Sequence, residues 1–298
     1  MEFCRITQQI QYTFGWSVYN SNLEFFQIMQ DGVLSTAAEL GIDVLSHNQN
    51  GSTTEMINGC INLISQGINA LIISPVNPQA LNVITDLTKQ ANIPTVVVDI
   101  GTGGAEVAAF IISDNFGGGI LAGEYALVLL QEYQIVSQNA VIIKVEVTST
   151  YARLRGEGFE SVLSDAGYHI IAQANGNSDT LQAYEIMRGF LSAYQDDLAI
   201  VFCENDRMAL GAAQAVFEAG KTGQILILGF DGIPSAIEAI KSGLMQGTIA
   251  QQPFEMGRLG VQSAKTILEG GKIIFDDVAL KELYVSVYLI DQYGNSWI

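Results

Sequence analysis

Ile200-Val201-Phe202-Cys203-Glu204-Asn205-Asp206 is a run of four apolar residues that stops abruptly at three polar ones. The pattern recurs in Val96-Val97-Val98-Asp99, in Ile111-Ile112-Ser113-Asp114-Asn115 and in Ile227-Leu228-Gly229-Phe230-Asp231-Gly232, and an amphipathic helix pattern follows each stop. Short continuous apolar runs bounded in this way read as parallel strands buried on both faces. In a doubly wound sheet the crevice beyond the carboxyl ends of the strands is where a ligand sits. The polar stops therefore outline a binding cleft.

Working outward, strands are expected at 14–19, 43–46, 70–74, 95–99 and 110–113, with helices near 24–39, 53–66 and 78–91. A second set of strands follows at 141–147, 170–173, 198–203, 225–230 and 248–250, separated by helices near 151–166, 180–194, 207–219 and 234–242. Alternation of this kind predicts an α/β fold of two similar lobes, each a doubly wound parallel sheet with right-handed crossovers. A helix at 253–269 and a strand at 283–290 are left over. They suggest that the chain crosses back between the lobes. Residues 1–11, polar and Gln-rich, read as a leader, and 293–298 as a tail.

The 298 residues include 13 Lys+Arg against 31 Asp+Glu, a formal charge of −18 that repels phosphate backbones. Nucleic acid is excluded as a partner on that ground. No window approaches the ~18 apolar residues that a membrane-spanning helix needs. Cys4, Cys60 and Cys203 show no metal-ligand spacing, and Cys60 and Cys203 sit in apolar stretches as buried thiols. A cysteine near the start is compatible with a lipidated mature terminus, but Met1-Glu2-Phe3 shows no signal-peptide pattern, so the signal segment is absent or removed.

Catalytic chemistry is hard to find. Only His47 and His169 are present, both beside strand-like runs, which removes most Ser/His/Asp, Cys/His and zinc arrangements. No phosphate-binding loop appears, and the glycines at 101–104 and 117–119 read as turn and helix-packing residues. No catalytic residue, metal or cofactor is expected.

Five segments, taken in order, resemble the type I periplasmic binding proteins, specifically the ribose-binding-protein-like sugar receptors of ABC transporters. They are Asn22-Leu23-Glu24-Phe25-Phe26, Tyr151-Ala152-Arg153-Leu154-Arg155-Gly156-Glu157-Gly158-Phe159, Asn205-Asp206-Arg207-Met208-Ala209-Leu210-Gly211, Gly229-Phe230-Asp231-Gly232 and Ala250-Gln251-Gln252-Pro253. The resemblance implies lobes at 12–113 plus 252–281 and at 114–251 plus 282–292, joined by a three-stranded hinge. Repressors that share the fold carry a basic helix-turn-helix module before the first strand, and only a short leader precedes Phe14.

Several polar stops admit two readings. Asp231 precedes glycine and suits a turn, whereas the resemblance makes it an acceptor for sugar hydroxyls. Either Asn205 or Asp206 can cap the following helix; a cap at Asp206 leaves Asn205 for the ligand. Asp99 ends a buried strand and needs a donor from a ligand or a neighbour. Arg153 either pairs with Glu157 on the surface or, as the resemblance implies, is the forked donor to ligand oxygens with Arg155 outside. Phe25 and Phe26 share an apolar face with Met29 and Val33, and the resemblance lays them against a sugar ring. Ser113 and Gln251 fall at crossings between lobes; Tyr19, Ser74 and Phe230, at strand ends, complete the candidate set with Asn22.

Four positions leave the ribose-receptor pattern. Leu23 and Ser74 stand where those receptors carry asparagine, Ile100 where they carry arginine, and Ser178 where they carry an aromatic residue. The expectation is an extracytoplasmic, monomeric receptor for a small neutral sugar or polyol that serves a membrane ABC permease. The alternative is a ligand-binding sensor module with the same fold.

Overall fold

The computed structural model describes residues 11–293 and 296–297. It comprises two compact units: residues up to Ile111 with Pro253–Leu283, and Ile112–Gln252 with the residues from Tyr284 on. The chain passes between them three times. Most of the leader, with Cys4, lies outside the described residues, as do positions 294, 295 and 298 of the tail.

The first unit opens with β1 (Thr13–Val18), α1 (Glu24–Glu39), β2 (Asp43–Asn48), α2 (Thr53–Ser65) and β3 (Ala70–Ile73). A 3-10 turn over Pro78–Ala80 leads into α3 (Leu81–Gln90), and β4 (Thr95–Val98) and β5 (Ala109–Ser113) follow. The second unit contains α4 (Asn115–Glu132), β6 (Asn139–Lys144), α5 (Leu154–Asp165), β7 (His169–Asn175), α6 (Thr180–Tyr194) and β8 (Ile200–Cys203). It continues through α7 (Asp206–Glu218), β9 (Leu226–Asp231), α8 (Pro234–Lys241) and β10 (Gly247–Ala250). The chain then adds α9 (Pro253–Leu268) and β11 (Glu282–Val285) to the first unit, and β12 (Tyr288–Asp291) and β13 (Ser296–Trp297) to the second.

The strand orders are β11-β5-β4-β3-β1-β2 and β13-β12-β10-β9-β8-β6-β7. Without β11 in the first sheet and β12 and β13 in the second, both sheets are parallel and share one doubly wound order, in which the direction of winding reverses between β1 and β3 and between β6 and β8. Such a switch point opens a crevice at the carboxyl ends of its two strands. The interior strands β3, β4 and β8 are buried at every residue, so they read as continuous apolar runs, while the edge strands β2 and β7 are half exposed.

Three expectations need correction. Helix α4 is absent from the sequence-based helix set because four glycines, Gly117, Gly118, Gly119 and Gly123, depress its helical signal. Gly119 and Gly123 are there because α5 crosses so closely that a Cβ on Gly119 would lie 2.1 Å from the Arg155 carbonyl oxygen, and one on Gly158, from the other side, 2.3 Å from that of Phe116; Gly118 instead backs onto the Phe230 ring. The strand expected at 283–290 is two strands in different sheets: between them Ser286 leaves both ladders, and its carbonyl accepts from Gln252 Nε2 at 2.8 Å. The strand expected at 141–147 ends at Lys144, since the next amide, Val145, bonds to a side chain instead of a neighbouring strand. Among the described residues no helix is long and apolar enough to cross a membrane.

Replacing Gly119 by alanine is expected to destabilise the chain by about 1–3 kcal/mol through overpacking. Gly189, exposed in α6 with nothing within 4 Å of its added Cβ, should instead gain roughly 0.5–1 kcal/mol on the same change. Urea denaturation of the two variants measures both.

Candidate ligand-binding site

In the second unit the functional side chains converge on Arg155, the second residue of α5. Its side chain is 5% exposed. Nε donates to Asn115 Oδ1 at 2.7 Å, and Nη1 donates to the Glu204 carbonyl at 2.7 Å and to Asp231 Oδ1 at 3.1 Å. The guanidinium carbon lies 3.9 Å from the centre of the Phe230 ring. Gln251 Nε2 donates to the same Asp231 oxygen at 2.7 Å. An ion pair with this many directed partners is the form in which a buried guanidinium is tolerated.

Asp231 ends β9 with φ +126°, a conformation that costs a non-glycine residue about 1–3 kcal/mol and persists where its surroundings over-determine it. Burial raises its carboxyl above the usual range, against the opposing pull of Arg155 and Gln251. Asp206 is fully buried behind it, accepting from Thr248 Oγ1 at 2.6 Å and from the Ile233 amide at 2.9 Å. Burial, with the neighbouring charge of Asp231, pushes Asp206 up to about 7. The same desolvation raises the buried Glu204 carboxyl to about 7.

The two arginines are reversed relative to expectation. Arg155 lies against Asp231; Arg153, ahead of the helix, donates Nη1 to the Val145 carbonyl and to Asn175 Oδ1, each at 3.0 Å, and does not pair with Glu157. Residues two apart in a helical turn point about 200° away from each other, so one must turn outward, and the motif alone does not say which. Phe230 is fully buried beneath Arg155, where its ring supports the guanidinium instead of facing a ligand. Asn205 caps α7: its Oδ1 accepts from the Met208 amide at 3.0 Å, while the carboxylate of Asp206 is turned into the interior. The amide nitrogen of Asn205 takes no part in the cap.

In the first unit the Tyr19 and Phe26 rings stack at 5.0 Å with 5° between their planes, and Phe25 meets Phe26 edge-on at 5.2 Å. Phe25 and Phe26 are 8% and 6% exposed. Asn22 is exposed in the preceding turn, its amide bonded to Asn20 Oδ1. Leu23 occupies the N-cap of α1 without a capping hydrogen bond. Asp99 is buried just past β4 with φ +71°, so each unit ends its fourth strand on an aspartate in a left-handed conformation. The hydroxyls of Ser74 and Ser113, and Oε1 of Gln251, are buried with no hydrogen-bond partner among the described residues.

Asn115, Arg155 and Glu204, together with Gln49 in the first unit, escaped sequence reasoning. Gln49 is fully buried and bridges the strands on both sides of the first switch point, donating Nε2 to the carbonyls of Ser17 and Ser74 at 3.1 and 3.0 Å. Gly156, beside Arg155, was the available signal, because a glycine at a helix start marks a close approach. Among the described residues no grouping of His, Cys, Asp and Glu could hold a metal ion.

A family model described as a periplasmic binding protein domain matches residues 14–272. In sequence the chain is 34% identical over 266 residues to the ribose import binding protein RbsB of Haemophilus influenzae, with 88% of each chain covered. It is 26% identical over 265 residues to a xylitol-binding protein of Mycolicibacterium smegmatis, covering 89% of this chain and 74% of that one. In structure it is similar, with a TM-score of 0.85 and 26% identity, to an ABC transporter solute-binding protein of Mycobacterium smegmatis with bound glycerol, covering 96% of each chain. A periplasmic solute-binding protein of Actinobacillus succinogenes 130z with bound D-allose gives a TM-score of 0.85 at 25% identity, covering 95% of this chain and 99% of that one.

The raised carboxyls predict an unusual stability profile. A group whose folded pKa lies above its unfolded value binds more protons when folded, so its contribution is full below about pH 4 and is lost as pH rises through about 7. Between pH 8 and 6 Glu204 and Asp206 should each add about 1 kcal/mol. The melting temperature, measured by calorimetry, should rise by several degrees from pH 8 to pH 6.

Proposed function

Since the chain belongs to the periplasmic binding protein family, we propose that it is an extracytoplasmic receptor that binds one neutral sugar, deoxysugar or polyol without turnover and delivers it to a membrane ABC permease. The convergence of Arg155 and Gln251 on one oxygen of Asp231 carries this reading. Such a cluster offers directed donors and acceptors, which is what hydroxyl groups need. Its positive charge is already matched by Asp231, so it suits a neutral ligand better than a carboxylate or phosphate. Relatives named for ribose and xylitol bind ligands of that class.

The ligand contacts we assign are Arg155, Asp231, Gln251 and the amide nitrogen of Asn205 in the second unit, with Arg153 at the margin. In the first unit they are Tyr19, Asn22, Phe25, Phe26, Ser74 and Asp99, with Ser113 at the first crossing. Aromatic rings suit the C–H faces of a sugar, and the buried hydroxyls suit its edges. The formal charge of −18 leaves nucleic acid out, and the receptor acts as a monomer.

Leu23 and Ile100, both half-buried, offer no donor where ribose receptors carry asparagine and arginine. Ser178, in place of an aromatic, is held at φ +53° with its hydroxyl on Glu146 Oε2 at 2.8 Å. The ligand that fits presents an apolar edge to the first unit.

Two hydroxyls left without donors cost about 1–3 kcal/mol each, so ribose should bind about two to four powers of ten more weakly than the best deoxysugar or polyol. Calorimetric titration over such a panel decides it, and submicromolar ribose binding overturns the specificity argument.

Variants separate the arginines. Arg155→Lys and Asp231→Asn should each weaken binding at least about tenfold, because the charge-assisted bond between them and the fixed directions of the guanidinium are lost. Arg153→Ala should change it less than about threefold. The reverse ranking in titrations of the best panel ligand returns the central role to Arg153.

A further inference from the structure

Glu204 follows β8 at the switch point of the second sheet, with its side chain fully buried. Oε2 accepts from the Val145 amide at 2.8 Å, across the gap to the end of β6. Oε1 has no hydrogen-bond partner among the described residues and lies 4.0 Å from Lys144 Nζ. The two residues so joined present the carbonyls that hold the arginines: Val145 accepts from Arg153 Nη1 at 3.0 Å, and Glu204 from Arg155 Nη1 at 2.7 Å. Gly156 makes the room, since a Cβ there would lie 2.4 Å from Oε1.

The first unit closes its own switch point with a neutral side chain. Gln49 donates to the carbonyls of Ser17 and Ser74, and its Oε1 accepts from the Val76 amide at 2.8 Å, so both ends of the side chain are satisfied. Bridging two strand ends therefore requires no charge. The second unit nevertheless buries a carboxylate, leaves one of its oxygens unbonded, and surrounds it with cations.

We propose that Glu204 is a positioning residue for the ligand-binding arginines: its carboxylate fixes the Val145 and Glu204 carbonyls relative to each other, and through them the guanidinium groups of Arg153 and Arg155. This inference rests on the reading of this sheet edge as the ligand site. The charged groups around the carboxylate are Lys144 at the end of β6, Arg153 and Arg155 at the start of α5, Asp206 on α7 and, beyond Arg155, Asp231 on β9. Burial, opposed by Lys144 and the two arginines, brings Glu204 to about 7. On protonation its bond to Val145 loses charge assistance, and the neighbouring cations lose a counter-charge. The arginines are then held less firmly, and ligand affinity falls as pH drops through neutrality.

Two readouts test this on the full chain between pH 5.5 and 8.5: calorimetric titration with xylitol and D-ribose as probes, and arginine Nε–H resonances in the absence of any probe. In the unmodified chain, affinity should tighten several-fold from pH 6 to pH 8, and the Arg155 Nε–H signal should move with a midpoint near neutrality. Glu204→Gln, which keeps an oxygen for Val145 without the charge, should bind within about threefold of the unmodified chain at pH 6 and lose both pH dependences. Glu204→Ala should shift the signals of both arginines and weaken binding tenfold or more. Unchanged arginine signals in folded Glu204→Ala overturn the proposal. So does a titration that survives in Glu204→Gln, which assigns it to Asp206 and Asp231; that comparison suffices should the alanine variant not fold. If neither probe binds the unmodified chain, the receptor reading fails for those ligands, and the arginine signals still decide the role of Glu204.

Discussion

Burying the guanidinium of Arg155 constrains everything around it. A charge taken out of water costs several kcal/mol unless partners replace the lost hydration. Here the partners come from three places in the chain: Asn115 at the start of α4, the Glu204 carbonyl past β8, and Asp231 and the Phe230 ring from β9. Each of those elements is located by the need to meet a planar fork with fixed donor directions. Helices α4 and α5 meet across Gly119 and Gly158 because any side chain there would push Arg155 away from its partners. The left-handed backbone of Asp231 is held by the same network, which binds its carboxylate from two sides.

The two units share a topology and divide the chemistry. Both wind in the same order, both end the fourth strand on an aspartate with positive φ, and both bridge the switch point with a buried polar side chain. The first unit then contributes stacked rings and hydroxyls, the second an ion pair and amides. The first unit bridges its switch point with the neutral Gln49 and the second with the ionisable Glu204.

Much of this was legible in the residues. Strands buried on both faces have to be apolar runs, so β3, β4, β5, β8 and β9 announce themselves, and the polar residue that stops each run lies at the sheet edge where a crevice forms. Asp231, Asn205 and Asp99 stand at or just past such stops. The ends of β6 and β11 were not legible in this way, because what stops those strands is a distant partner: the Glu204 carboxylate for Val145, and a change of sheet around Ser286, whose carbonyl accepts from Gln252. Helix α4 was hidden because its glycines serve close packing against α5 and weaken the local helix signal.

Sequence alone determined the fold class, the positions of the sheet edges and the family, since each follows from local patterns of apolar runs, polar stops and short motifs. The choice between Arg153 and Arg155, the capping of α7 by Asn205 instead of Asp206, and the burial of Phe230 under a guanidinium were decided only by tertiary structure. In the first two cases two residues of equal local merit competed. The outcome depended on which could reach partners from other strands, a property of distances between segments dozens of residues apart in the chain.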